Sequence, residues 1–105
     1  MSYTTGNIVK QSVISVTLSP AAVAINTTAE QTFTVNGLQT GDHVVVQKPT
    51  AQAGLGIVGS RVSAANTLAI TFSNNTAGSI TPTASQVYKV LVSRPDSTIT
   101  DGNIY

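Results

Sequence analysis

The chain has 105 residues, of which only 9% are charged, against about 25% in an ordinary soluble domain. That length allows one domain with one core, and a formal net charge of +1 cannot supply the basic field that binding to phosphates requires, so nucleic acid is excluded as a partner. A hydrophobic content of 41% excludes disorder, the lack of an apolar run of roughly 20 residues excludes a membrane helix, and the lack of cysteine excludes disulfides and thiol chemistry.

Polarity comes instead from hydroxyls. With 16 Thr, 11 Ser and 13 Val the vocabulary is β-branched, and the chain is expected to be all-β. Residues 1–11 are polar apart from Ile8 and Val9 and show no clean period, so they read as an extended N-terminal arm. They lack the apolar stretch of a signal peptide, and synthesis in the cytoplasm without export by that route is expected.

From Ser12 the chain alternates. Ile14, Val16 and Leu18 point one way and Ser15 and Thr17 the other, giving a half-buried strand that Pro20 ends. Val23 and Ile25 suggest a short second strand closed by Asn26-Thr27-Thr28. Phe33 and Val35 mark the inward face of a third, and Asn36-Gly37 is a turn signal. After Thr40-Gly41-Asp42, the uninterrupted valines of His43–Gln47 suggest a strand covered on both faces, by the core or by a partner chain. An Ala- and Gly-rich loop, Thr50 to Gly56, precedes a strand from Ile57 to Ser63 in which Gly59 marks a bulge or a close approach. Ala64-Ala65-Asn66 turns it into Thr67–Phe72 as a hairpin. A polar stretch from Asn74 to Pro82 leads to the last strong strand, Val87–Val92, closed by Arg94-Pro95.

About seven to eight short strands at turn-marked spacing describe a single-domain antiparallel β-sandwich over residues 12–95, of Greek-key, jelly-roll or immunoglobulin-like connection. Residues 96–105 read as a polar C-terminal tail.

Few residues carry candidate chemistry. Asp42 beside His43 invites a catalytic reading with a serine, but neighbours in a strand point to opposite faces, so Asp42 is expected to satisfy turn N–H groups and His43 to open a strand at the surface. Catalytic, cofactor and metal sites are all expected to be absent, and the chain is not expected to be an enzyme. Its four acids form no Ca²⁺ loop. Asn26-Thr27-Thr28 and Asn74-Asn75-Thr76 match the glycosylation pattern but read as turns. The loop from Ala53 to Gly59 lacks the Lys-Ser/Thr and helix of a phosphate cradle. In so uncharged a chain, Arg61 and Arg94 are candidates for bidentate pairing, with an acid or carbonyl of a neighbouring subunit, or else exposed residues whose stems pack on the sheet.

The stretch Val35-Asn36-Gly37-Leu38, Thr40-Gly41-Asp42, Val44-Val45-Val46, Lys48-Pro49 and Ala53-Gly54-Leu55-Gly56-Ile57 resembles a family of short tailed-bacteriophage virion proteins. The run from Arg61 to Phe72, then Asn75-Thr76, Pro82, Tyr88–Val92 and Arg94-Pro95, is similar to that family's second half, so the resemblance covers roughly Ile14 to Pro95. It implies a head decoration or cement protein on the virion's capsid surface, bound to the major capsid protein as a homotrimer, and it brings no catalytic residue. An immunoglobulin-like module on a virion or tail fibre, holding carbohydrate weakly, is the alternative; Val16-Thr17-Leu18-Ser19-Pro20 fits it equally well. A surface so poor in charge has little repulsion to oppose association, so edges and one sheet face are expected to be occupied by neighbours. At about 3.3 Å per residue the arm spans roughly 35 Å, enough to reach a neighbour.

Overall fold

Residues 7–96 are described by the computed structural model. Six strands form among them: β1 (Ile8–Leu18), β2 (Thr27–Thr34), β3 (His43–Gln47), β4 (Leu55–Ala64), β5 (Thr67–Asn74) and β6 (Gln86–Pro95). They pair into two antiparallel three-stranded sheets, β1-β6-β3 and β2-β5-β4, with no helix among the described residues. The expected all-β class is what the chain adopts.

The two central strands hold the sheets together. Leu68, Ile70 and Phe72 of β5 and Tyr88 and Val90 of β6 alternate inward and are fully buried, each contributing about 1.5–3 kcal/mol through removal from water. Edge strands add the buried Leu18 and Val44 and several partly buried groups, among them Ile14, Val16, Phe33 and Val46. The hairpin between β4 and β5 forms as its alternation and turn imply, with Asn66 left-handed at φ 59°. Of its two register slips, one falls between Val62 and Ala64 and the other beside Gly59, between Ile57 and Gly59, where it leaves Val58 exposed.

Three expectations need correcting. The first strand begins at Ile8 rather than Ser12, because Lys10 and Gln11 pair with Arg94 and Ser93 and draw part of the expected arm into the sheet. Residues 1–6 of that arm, and residues 97–105 of the tail, lie outside the described residues. Second, Val23 makes only an isolated bridge to Ile80, with N–H···O distances of 2.8 and 3.0 Å, because Pro20 upstream and left-handed Asn26 downstream leave too few extended residues for a strand. Strands among the described residues thus number six, not seven or eight. Third, the core covers only one face of β3: Val44 and Val46 face it, but Val45 points outward and is exposed, so of the two readings of the valine run only cover by the core on both faces is overturned.

The two sides of the layered pair differ. On one, β3 and β4 approach each other and the Ser60 hydroxyl donates to the Val44 carbonyl at 3.0 Å. On the other, β1 and β2 make no comparable approach, and each has one edge without a strand partner among the described residues. The Gln31 amide clasps the connection between them, accepting from Ala21 N–H at 2.8 Å and donating to its carbonyl at 2.9 Å.

Candidate functional site

Asp42 follows a tight turn in which Gly41 adopts φ 96°, a conformation open to glycine without strain. Its carboxylate accepts the Gln39 N–H at 3.0 Å, as turn chemistry predicts. The same carboxylate also accepts two hydrogen bonds from Arg94, Nε at 2.8 Å and Nη2 at 2.9 Å, while Nη2 donates to the Gly37 carbonyl at 2.8 Å. The Asp42 side chain is 1% exposed and that of Arg94 22%. Arg94 therefore finds its acid within its own chain, and so does Arg61, whose guanidinium grips Glu30 at 2.9 Å through both Nε and Nη2. The Arg94 hydrogen bonds hold the Asp42 carboxyl below its ordinary pKa against the opposing effect of burial. The Arg61 contact lowers Glu30 likewise, but that pair is open to water and contributes little to stability.

His43 faces away from Asp42, on the outer face of the sheet, so the two assemble no nucleophile-activating pair. Among the described residues no three His, Cys, Asp or Glu side chains cluster as metal ligands would. The stretch after Ala53 is shaped for packing. Gly54 has φ 79°, and a Cβ there would collide with the Thr76 side chain. A cleft between β1, β6 and the turn at Gly37 holds about 190 Å³, and a shallower, more open depression lined by Asn26, Thr27, Thr28, Ser73, Asn74 and Asn75 about 480 Å³.

Asn74 is a structural residue that sequence reasoning missed. It is buried, donates to the Val23 and Gly78 carbonyls at 3.1 and 2.8 Å, and accepts from the Thr76 N–H and hydroxyl at 2.9 and 2.7 Å. It thereby staples the Val23 bridge and the turn after β5. Its place in a glycosylation-like triplet gave no sign of this.

What remains as a candidate site is surface. Of the outward side chains on the β2-β5-β4 sheet, the charged ones are Glu30 and Arg61, which cancel. On the β1-β6-β3 sheet, Lys89 is the one formally charged outward side chain, donating to Ser15 Oγ at 2.9 Å. Val13, Leu91 and Val45 lie side by side across that sheet, and the two valines are 66% and 64% exposed. The arrangement offers apolar contact and backbone pairing rather than bond-making chemistry. Comparison with known proteins finds no matching family model, no similar curated protein and no similar solved structure.

Proposed function

We propose that the protein is a structural component of a tailed-bacteriophage virion, a head decoration or cement protein that binds the major capsid protein on the outer shell and stabilises it. One observation carries the reading: two outer sheet faces that share a single unmatched formal charge, bordered by the free edges of β1 and β2. Monomeric β proteins usually blunt such edges with charge or proline; here β1 carries only Lys10 and β2 only Glu30, the latter neutralised by Arg61. The family resemblance supplies the identity of the partner and implies three copies per unit on the shell. A cement protein works by adding contact area across junctions between shell subunits, and stable contacts of that kind need about 800 Å² per partner.

The finer fold reading is immunoglobulin-like. The order β2-β5-β4 against β3-β6 matches the second, fifth and fourth strands of such a domain packed on its third and sixth, with β1 beside β6 where a seventh strand would lie. The position next to β2, which a first strand would fill, is open to a strand from a neighbour.

The test is binding to heads assembled without this protein. Saturable co-sedimentation, and a higher temperature of shell disruption, are expected. Failure to sediment with heads, together with absence from purified particles, would refute the reading. A carbohydrate-binding module would need an exposed aromatic platform, and among the described residues Tyr88 and Phe72 are fully buried and Phe33 partly so; a positive glycan array would favour that alternative.

A further inference from the structure

Of the chain's seven asparagines, Asn36 alone precedes glycine; the others precede Ile, Thr or Asn. That neighbour opens an intramolecular reaction. With no Cβ in its path and a backbone that turns freely, the glycine nitrogen can reach the carbonyl carbon of the asparagine side chain. Asn36 and Gly37 are both exposed, and nothing lies within 4 Å of where a Gly37 Cβ would stand. The Asn36 amide makes no hydrogen bond among the described residues.

The turn is held from both sides. Asn66, at the tip of the β4–β5 hairpin, accepts the Val35 N–H through its backbone carbonyl at 2.9 Å and donates its own N–H to the Leu38 carbonyl at 2.8 Å. Its side-chain oxygen accepts the Gly37 N–H at 2.8 Å. On the other side, Arg94 donates to the Gly37 carbonyl at 2.8 Å. These contacts act in opposite senses on the Gly37 nitrogen. The guanidinium charge favours its ionised form, whereas the Asn66 oxygen holds the proton that must leave.

We propose that Asn36 is a site of spontaneous deamidation whose rate is set by Asn66. Hydroxide takes the Gly37 N–H proton, and the nitrogen attacks Asn36 Cγ. As that C–N bond forms, the bond to the side-chain nitrogen breaks, and ammonia leaves with a proton taken from water. A second water opens the cyclic imide at either carbonyl, giving aspartate or isoaspartate. The new carboxylate arises in the cleft that position 36 lines together with Lys10 and Arg94, where cations favour it. One negative charge added to a formal net charge of +1 leaves zero. On a surface so poor in charge, that removes the remaining net repulsion between copies.

The experiment is incubation of the full chain in neutral and mildly alkaline buffer, with the deamidated positions read by peptide mass spectrometry and isoaspartate by its fragmentation. Wild type is expected to convert at Asn36 ahead of every other asparagine, at a rate that rises with hydroxide. Asn66→Gly keeps the left-handed turn at φ 59° without its acceptor, and conversion should speed up by about 2- to 12-fold, the rate equivalent of one hydrogen bond. Asn66→Asp keeps an acceptor and should convert no faster than wild type. Asn26 and Asn75, exposed elsewhere on the fold, report general loosening in the same sample and should keep their rates. Conversion first at another asparagine, or none at Asn36, overturns the site. An Asn66→Gly rate equal to wild type, a rise shared by Asn26 and Asn75, or a fast Asn66→Asp overturns the control by Asn66.

Discussion

Asn74→Ala removes an amide that makes four hydrogen bonds from a site 1% exposed. At about 0.5–1.5 kcal/mol each, these bonds amount to roughly 2–6 kcal/mol. Part is recovered, because the Val23 carbonyl keeps the Ile80 N–H at 3.0 Å and the Thr76 hydroxyl, released from Asn74, can give its one proton to the Gly78 carbonyl at 2.8 Å. A loss of about 3 kcal/mol is therefore expected, a large share of the ~5–15 kcal/mol that holds a domain folded. It corresponds to a fall in melting temperature of roughly 12–24 °C. Urea unfolding should show a lower midpoint at unchanged slope, and native-state exchange should show the Val23 and Ile80 amides losing protection first. Asn74→Asp sharpens the test. Its carboxylate would face the Val23 and Gly78 carbonyls, so it should be less stable than the alanine variant at neutral pH. Burial raises such a carboxyl's folded pKa above its unfolded value, so this variant gains stability as pH falls through the folded pKa. A loss under about 1 kcal/mol for Asn74→Ala would refute the account of the staple.

Two further outcomes follow from buried polar groups. The Tyr88 hydroxyl is enclosed with no hydrogen-bond partner among the described residues, and burial raises its pKa; Tyr88→Phe should therefore raise stability by about 1 kcal/mol in thermal unfolding, and a loss of that size would show that the hydroxyl is bonded. Arg94→Leu should lower the melting temperature clearly, because it strands the buried Asp42 carboxylate, whereas Arg61→Leu should change it little; equal effects would sink the distinction between the two pairs. Asp42 has a folded pKa below its unfolded value, so its contribution is present above the ordinary value of 3.8 for a free Asp and is lost as pH falls through the folded pKa. The stability gap between wild type and Asp42→Asn, followed by urea midpoint, should accordingly close on acidification.

Local pattern carried much of the fold. The hairpin from Leu55 to Asn74 is visible because its apolar residues alternate, its turn contains a residue tolerant of left-handed backbone, and one of its register slips has a glycine beside it. The start of β1 was hidden because Lys10 and Gln11 are polar and gain strand character only from pairing with β6. The valine run of β3 left two readings, cover by the core on both faces or one face against a partner chain, and only the sheet order shows that the core covers one face. The Asp42–Arg94 pair joins residues 52 apart, a distance over which no spacing rule operates. The apolar row across three strands was equally illegible, since it exists only once Val13, Leu91 and Val45 are set in register.

Pairing β1 with β6 has a mechanical consequence. Ile8 lies opposite Pro95, and the Asp96 N–H donates to the Asn7 carbonyl at 2.6 Å, so the first and last described residues lie side by side. A force drawing the two ends apart would load the rungs of this ladder one after another, from that point inward, as in opening a zipper. A force applied at one end and resisted by the sheet face would instead shear the whole ladder at once. The same protein is thus weak as a link in a chain of domains and strong as a plate fastened by its face.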